Sequence, residues 1–452
     1  MNSPEARGAK TLIDAHPPLT AAQALIEAER CYYCYDAPCV AACPTAIDVP
    51  SFIARIAQGN PHGAAKTILR ANPLGGMCAR VCPTEVLCEQ ACVRHTHEDK
   101  PVEIGRLQRV ATDAFFAQPE PALFTRAADT GKRIAVVGAG PAGLACAHGL
   151  ARRGHGVVLF DAKPKLGGLN EYGNATYKTV GDFAQQEVGW LLSIGGIEVR
   201  AEQQLGRDIT LDGLRADFDA VFLGLGLAGV NALGITEPAA AALRAAVDFI
   251  ADLRQADDLS KLKVGRHVIV IGGGMTAVDA AVQARMLGAE TATIVYRRGA
   301  AAMPASKHEQ DWAQTQGVAI RHWAAPLAVL TEAHADGPRI TGVRFASTML
   351  RDGRVVHSDE TFELPADMVL RAIGQSFRPE AVISSSTVQL KGGRIETDVQ
   401  GRTSLPDVWA GGDCRYGGRD LTVEAVQHGK VAALAIHAQL SAATHAAATS
   451  GA

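Results

Sequence analysis

The chain has little that would place it in a membrane or on nucleic acid. None of its apolar runs reaches the length of a membrane span; VIVIGGG and stretches like it are strand-sized. No basic run or stripe stands out. The 44 Lys and Arg against 47 Asp and Glu leave a net charge of −3, which excludes an electrostatic nucleic-acid binder. The opening MNSPEARGAK is polar and lacks the apolar core of a secretion signal, so the cytoplasm is the expected compartment. Cysteine is also scarce, ten in 452 residues, and after the first hundred only Cys146 and Cys414 occur. A reducing compartment argues against a disulfide framework and for metal or redox chemistry.

The other eight cysteines form two groups. One is Cys31, Cys34, Cys39 and Cys43, closed by Pro44; the other is Cys78, Cys82, Cys88 and Cys92, with Pro83 inside it. The segment up to residue 125 also lacks a convincing strand. AAQALIEAER, VPSFIARIAQ and the run from Val102 to Phe116 have helical apolar spacing. This predicts a small helical domain over 1–125, with little core of its own, held together by what its cysteines bind. Zinc sites show two separated CxxC-like pairs, and only one C-x2-C occurs here. Several thiolates ending in Cys-Pro come closer to the ferredoxin run, although the spacing differs. Spacing alone would pair the eight into two four-cysteine sites.

At Lys132 the character changes. RIAVVGAGPAGLACAHGLARRGHGVVLFD reads as strand, glycine turn, helix and strand, and the pattern recurs at HVIVIGGGMTAVDAAVQARMLGAETATIVYRR. Two such units predict an α/β chain with two Rossmann-like dinucleotide-binding domains. In the first, Gly138 permits the tight turn, Gly140 admits a pyrophosphate and Gly143 lets helix and strand pack closely. Asp161, at the end of the next strand, suits a ribose hydroxyl pair. In the second, Gly272, Gly274, Met275 and Thr276 open the helix, and Arg297 and Arg298 stand where the acid would be. Arginines there favour a 2′-phosphate and hence NADP; contact with pyrophosphate or solvent is the alternative. Gly374 is a further candidate for this nucleotide.

The late segment DVWAGGDCRYGGRDLTVEAVQHGKVAA resembles the second FAD motif of the two-dinucleotide-binding flavoproteins, and LFDAKPKLGGLN resembles their flavin side. The resemblance implies FAD in the first unit and the nicotinamide nucleotide in the second. It assigns Gly168, Leu169, Lys178, Gly412, Asp413 and Thr422 to FAD. Thr422 would face the flavin's pyrimidine edge, at a helix N-terminus that favours an anionic reduced flavin. Cys146 and Cys414 have no CxxC partner, so a disulfide-reductase reading fails; Cys146 is expected in the core and Cys414 as a small filler near the cofactor. The expected domains are 126–232 and 374–440 for a discontinuous FAD domain, 233–373 for NAD(P), and a disordered tail over 441–452.

CYYCYDAPCVAACPTAIDVPSFI, NPLGGMCARVCPTEVLCEQAC, PVEIGRLQRVATDAF and GGLNEYGNATYKTVGDFAQ resemble the dihydropyrimidine dehydrogenase family, most closely its bacterial pyridine-nucleotide subunit. That resemblance covers nearly the whole chain. It implies two [4Fe–4S] clusters with crossed ligands: Cys31, Cys34, Cys39 and Cys92 on one, and Cys43, Cys82, Cys88 and Gln108 on the other, leaving Cys78 over. Taken from the residues alone, Gln108 would be a solvent-facing helix residue. The resemblance also implies NAD, with NADP as the alternative. It implies a separate FMN- and iron–sulfur-containing catalytic partner acting on uracil or thymine, and a heterotetramer. Neither nucleic acid nor membrane is expected as a partner. The small subunit of glutamate synthase shares the layout, but its second cysteine group usually reads CPAPC. A subunit of an electron-bifurcating ferredoxin:NADP reductase has closer cysteine spacing. A non-enzymatic iron–sulfur scaffold conflicts with two intact nucleotide motifs.

Overall fold

The computed structural model describes residues 13–119, 122–382 and 388–450, apart from the side chains at 381 and 443–450. The chain divides into two compact units. One comprises His16–Glu171, Asp182–Ala228 and Phe377–Ala452; the other comprises Met1–Ala15, Tyr172–Gly181 and Gly229–Ser376.

The first unit begins with seven helices: α1 (Ala21–Glu29), α2 (Pro38–Ala42), α3 (Val49–Ala57), α4 (Pro61–Ala71), α5 (Gly75–Val81), α6 (Val93–Glu98) and α7 (Ile104–Phe116). Their ends are written locally. Thr20 and Gln23 make a reciprocal capping box at α1, Asp48 caps α3 and Asn60 caps α4, and prolines stand in the first turns of α2, α3 and α4. The flavin-type part follows with β1 (Arg133–Val137), α8 (Pro141–Ala151), β2 (Gly156–Phe160), α9 (Leu169–Tyr172), α10 (Phe183–Leu192), β3 (Ile197–Arg200), α11 (Leu211–Asp217) and β4 (Ala220–Leu223).

In the second unit come β5 (Gly229–Val230), β6 (Leu243–Ala245), α12 (Ala246–Gln255), β7 (His267–Gly272), α13 (Met275–Met286), β8 (Thr291–Tyr296), α14 (Lys307–Thr315), β9 (Val318–His322), β10 (Ala324–Glu332), β11 (Arg339–Arg351), β12 (Arg354–Pro365), β13 (Met368–Ala372) and β14 (Gln375–Ser376). The first unit then closes with β15 (Leu390–Lys391), β16 (Arg394–Ile395), β17 (Val408–Ala410) and α15 (Thr422–Ser450).

Each unit is built on a five-stranded parallel sheet, ordered β17-β4-β1-β2-β3 in the first and β6-β13-β7-β8-β9 in the second. The second adds the antiparallel sheet β10-β11-β12. The central strands β1 and β7 are buried almost throughout, as parallel strands covered on both faces must be. Strand β17 returns from the far end of the chain to pair with β4, which makes the flavin-type domain discontinuous.

The helical domain, expected to have little core of its own, shares its core with the flavin-type part. Phe52, Ile68, Leu69, Phe115 and Phe116 belong to one continuous core with Leu144, Trp190, Val426 and Ile436 of the flavin-type part. Edge-to-face ring pairs tie α7 to α10: Phe115–Trp190 at 5.6 Å and Phe116–Phe183 at 5.3 Å between centroids. The helical periodicity marked these apolar faces but not what they bury against. In addition, α15 continues through Ser450, across the stretch expected as a tail; 451–452 lie outside the described residues.

Candidate redox site

The glycine turn after β1 is dictated by contact. Gly138 has φ +95°, and a Cβ there would lie 2.2 Å from the Gly224 carbonyl oxygen. A Cβ on Gly143 would lie 1.8 Å from the Gly138 oxygen, which is the close helix–strand packing the motif requires. Gly140 caps α8. Opposite it stands Gly168 (φ +55°), whose Cβ would come 2.7 Å from the Gly140 Cα. The first turn and the Gly167-Gly168 loop therefore face each other as bare backbone, a cradle that side chains would fill. Asp161 accepts hydrogen bonds from the amides of Ala139 (2.6 Å) and Lys163 (2.8 Å), and burial raises its pKa. Leu169 follows, exposed.

The closing motif packs on the same helix. A Cβ on Gly429 of α15 would lie 2.1 Å from the Ala142 oxygen, so α15 and α8 touch at the backbone. Gly412 has φ +74°, and its amide donates to Nδ1 of His428 at 3.2 Å. Burial lowers the His428 pKa to about 4, so the neutral ring accepts this bond. Asp413 makes no hydrogen bond or ion pair among the described residues. Burial, reinforced by Asp420, pushes its carboxyl up to about 7. An enclosed carboxyl without a hydrogen-bond partner among the described residues suits the hydroxyls of a ribityl chain. Thr422 opens α15 and its hydroxyl donates to Asn170 at 3.1 Å. His428 and Asn170 were not singled out from the sequence. Their signals were a histidine two turns into the last helix and an asparagine directly after Gly167-Gly168-Leu169.

In the second unit Gly272 (φ +145°) packs against the Ala372 oxygen, while Gly274 caps α13 with open space before it. Met275 and Thr276 form the half-buried start of that helix. Arg297 and Arg298 follow β8, exposed and without an ion pair among the described residues. Gly374 (φ +96°) accepts the Asn231 amide through its carbonyl at 3.2 Å. Lys178 is placed differently from the flavin role assigned to it. It lies in Tyr172–Gly181, within the second unit, with its ammonium between Asp279 (2.8 Å) and Glu309 (2.7 Å). Two carboxylates, rather than a flavin phosphate, neutralise it there, and Tyr177 donates to the same Asp279 at 3.0 Å.

The eight N-terminal cysteines are brought together across the two sequence groups. Cys31, Cys34, Cys39 and Cys92 line one recess, walled by Ala37, Val49, Ile53 and Ile104. Tyr33 takes φ +52° to fold the loop between Cys31 and Cys34, and α2 carries Cys39. Cys43, at the end of α2, neighbours Cys82 and Cys88, and Cys88 also lies near Cys39, so the two assemblies adjoin. A short turn at Thr84–Val86 folds the chain between Cys82 and Cys88. Burial raises the Cys39 thiol to about 12 and Cys88 well above its ordinary value; hydrogen bonding with Cys78, then burial, does the same for Cys82. Such thiols keep their protons until a metal displaces them, and both assemblies have the soft donor set that iron–sulfur clusters take.

Gln108 is buried rather than solvent-facing. Its Nε2 donates to the Gly75 oxygen of α5 at 2.7 Å, and its side-chain oxygen takes no hydrogen bond among the described residues. Cys78, on α5, is buried beside Cys82. Cys146 and Cys414 are buried, and all ten cysteines are free thiols.

A glycine cradle with an enclosed carboxyl, a second glycine turn and thiol assemblies together define a flavin- and pyridine-nucleotide-dependent oxidoreductase with an iron–sulfur domain. Residues 132–429 match the pyridine nucleotide-disulphide oxidoreductase family, and residues 9–120 match dihydropyrimidine dehydrogenase domain II, 4Fe-4S cluster. The NAD-dependent dihydropyrimidine dehydrogenase subunit PreT of Salmonella typhimurium is 34% identical over 421 residues, covering 93% of this chain and 95% of that protein. The glutamate synthase [NADPH] small chain of Escherichia coli is 33% identical over 444 residues, covering 93% and 92%. Among solved structures, Mycobacterium tuberculosis FprA with NADPH has a TM-score of 0.57 at 18% identity, covering 70% of this chain and 86% of that one. T. acidophilum thioredoxin reductase has a TM-score of 0.53 at 20% identity, covering 68% and 99%. The chain belongs to the pyridine nucleotide-disulphide oxidoreductase family, in the group that carries an N-terminal 4Fe-4S domain and includes PreT and the glutamate synthase small chain.

Proposed function

We propose that this chain is the electron-input subunit of an NAD-dependent dihydropyrimidine dehydrogenase. It would exchange electrons with an FMN- and iron–sulfur-containing partner that interconverts uracil or thymine and the 5,6-dihydropyrimidine. The observation that carries the reading is the second cysteine group. Five residues separate Cys82 from Cys88, bridged by the Thr84–Val86 turn, where the glutamate synthase pattern is the shorter CPAPC. The proposed ligand sets are Cys31, Cys34, Cys39 and Cys92 for one [4Fe–4S] cluster, and Cys43, Cys82, Cys88 and Gln108 for the other. The pooled recess supports the first set, and the free oxygen of Gln108, anchored on α5, supports the second.

Bound here, FAD would supply hydride acceptance from the nicotinamide nucleotide and one-electron release toward iron–sulfur clusters. The residues of the chain provide the positions. The start of α8 offers its amides to the pyrophosphate, Asp161 the ribose site, and Asp413 an acceptor for ribityl hydroxyls. The N-terminal end of α15 presents a positive dipole at Thr422. Leu421 and Val423, on either side of Thr422, pack with Leu87 against Cys43, Cys78 and Cys82, excluding water between the flavin motif and the second thiol assembly. That adjacency supports direct electron passage and argues against an acceptor site at the flavin itself. Cytoplasmic location and a heterotetramer are part of the proposal; among the described residues no helix is long and apolar enough to cross a membrane.

Co-expression with candidate partners tests it. A pyrimidine-reducing partner is expected to co-purify and to support dihydrouracil-dependent reduction of NAD. Turnover only with a glutamate synthase large subunit would reject the reading.

A further inference from the structure

Arg297 and Arg298 leave β8 exposed and without an ion pair among the described residues, so their backbone fixes what they can reach. That backbone is held on two sides. On the near side it is tied to the glycine turn after β7. A Cβ on Gly273 would lie 2.5 Å from the Tyr296 ring, so the ring rests on bare backbone. The Tyr296 hydroxyl donates to the Ala302 oxygen at 2.7 Å, and the Ala305 amide donates to the Gly273 oxygen at 2.9 Å. The loop over 297–305 thus closes on the turn that suits a pyrophosphate.

On the far side stands Trp323, the single residue between β9 and β10. Its φ is +59°, a left-handed conformation that is an outlier for so bulky a side chain. The Trp323 amide donates to the Arg298 oxygen at 3.2 Å, and its carbonyl accepts the Thr348 amide at 2.9 Å. The hydroxyl of the buried Thr348 donates to the Arg297 oxygen at 2.9 Å. There β11 shifts register against β12, between Ala346 and Thr348, and such bulges re-aim side chains. The carbonyls of both arginines are therefore taken. The indole lies on Gly299, where a Cβ would come 2.9 Å from Trp323 Cζ2. Gly299 has an ordinary φ of −75°, so the indole, not the backbone, requires the glycine. Yet Trp323 stays 38% exposed. A strained tryptophan that leaves so much of itself in water is poorly explained by packing alone, and strain of this kind gathers at binding sites.

We propose that Trp323 is a positioning residue for the pyridine nucleotide: with Thr348 it holds the Arg297–Gly299 backbone so that the arginine pair meets a phosphate of the bound nucleotide. The inference rests on the reading of this unit as the nicotinamide-nucleotide domain. An arginine on a fixed backbone loses less freedom on binding than one on a loose loop, and its fork gains from fixed geometry. The pyrophosphate common to NAD and NADP and the 2′-phosphate of NADP offer the pair the same chemistry. Trp323 acts through the arginines and is not a catalytic residue.

The test uses the full chain with its cofactors. It reads NAD and NADP binding by calorimetry, beside steady-state reduction of ferricyanide by NADH and by NADPH. Trp323→Asn removes the indole but keeps a residue that tolerates the left-handed conformation. Gly299→Ala keeps Trp323 and displaces its ring. Both are expected to weaken binding and raise KM about tenfold, with kcat changed less than about twofold. Trp323→Tyr, which keeps a ring against Gly299, should recover most of the affinity. Trp323→Asn should add nothing once Arg297 and Arg298 are both alanine. Weakening toward both nucleotides assigns the pair to the pyrophosphate, and weakening toward NADP alone assigns it to the 2′-phosphate; either supports the inference. No binding of either nucleotide by the unaltered chain would reject the nucleotide-domain reading itself. Weak binding by the arginine variants with normal binding by Trp323→Asn and Gly299→Ala would overturn the inference alone. A lower melting temperature and kcat with affinity unmoved would make Trp323 a structural residue and overturn it too.

Discussion

The two thiol assemblies of the helical domain adjoin, yet their settings differ. The one around Cys31, Cys34, Cys39 and Cys92 lies at a recess lined by the exposed ring of Tyr32. Its charged neighbour is Arg94, whose guanidinium stacks 4.1 Å above the Tyr32 ring and bears on Cys31. The assembly around Cys43, Cys82 and Cys88 instead faces the protein. It packs against Leu421 and Val423 beside the flavin motif, takes a contact from the Thr45 hydroxyl to Cys43 at 3.3 Å, and has Cys78 and Asn72 behind it. Similar half-buried donor atoms are thus given an outer position beside an exposed tyrosine and an inner one beside the flavin motif. Solvent exposure and hydrogen bonds to sulfur are the levers that set cluster potentials, so the two positions are expected to differ in potential as well as in place.

The largest test of this contrast is removal of a thiol from each side. Cys82→Ala and Cys31→Ala are each expected to lose one cluster's iron. The inner variant should show the greater drop in melting temperature, because its neighbours Leu87, Leu421 and Val423 lose the group they enclose. Equal drops would erase the distinction. Gln108→Ala is next: it should alter the spectrum of the inner cluster alone, whereas an unchanged spectrum would remove Gln108 from the ligand set.

Glu187 offers a pH-dependent test of the inner side. It is wholly buried on α10 and accepts the amides of Gly76 (2.8 Å) and Met77 (3.3 Å) at the start of α5. Burial pushes its carboxyl up to about 8. The folded chain then holds a proton that the unfolded chain releases above its ordinary carboxylate pKa. Stability from this group is present at low pH and declines as pH rises toward 8, by up to about 1.4 kcal/mol per unit. Thermal melts at pH 5 and pH 8 should show this decline, and Glu187→Gln should flatten it. An identical slope in the variant would show that Glu187 is already ionised. The smallest effect is expected outside: Arg94→Ala should leave iron content unchanged and lower the outer cluster's midpoint slightly, through loss of one partly solvated positive charge.

Much of the nucleotide machinery was legible because it is local. The turn at Gly138-Ala139-Gly140, the answer at Asp161 and the helix start at Thr422 are each contained within a few residues of a strand or helix end. The partners of these residues were less so. His428 under Gly412 and Asn170 under Thr422 carry no motif of their own. Lys178 sits in a stretch that reads as flavin side, but its charge is met by Asp279 and Glu309, which lie more than a hundred residues away in the chain. The apolar spacing of α7 was visible, but its docking on Trp190 and Phe183 was not, because periodicity specifies a buried face and not the surface that buries it.

By itself the sequence determined two dinucleotide-binding units, a helical cysteine domain ahead of them and the kind of cofactor each could hold, because turns, caps and i,i+4 spacings act over a few residues. Only the tertiary structure decided which thiols share a recess, that Cys92 joins Cys31 while Cys43 turns to Cys82 and Cys88, and that Gln108 is buried on α5. Those pairings depend on how separate helices pack, and packing is chosen by the whole apolar core at once.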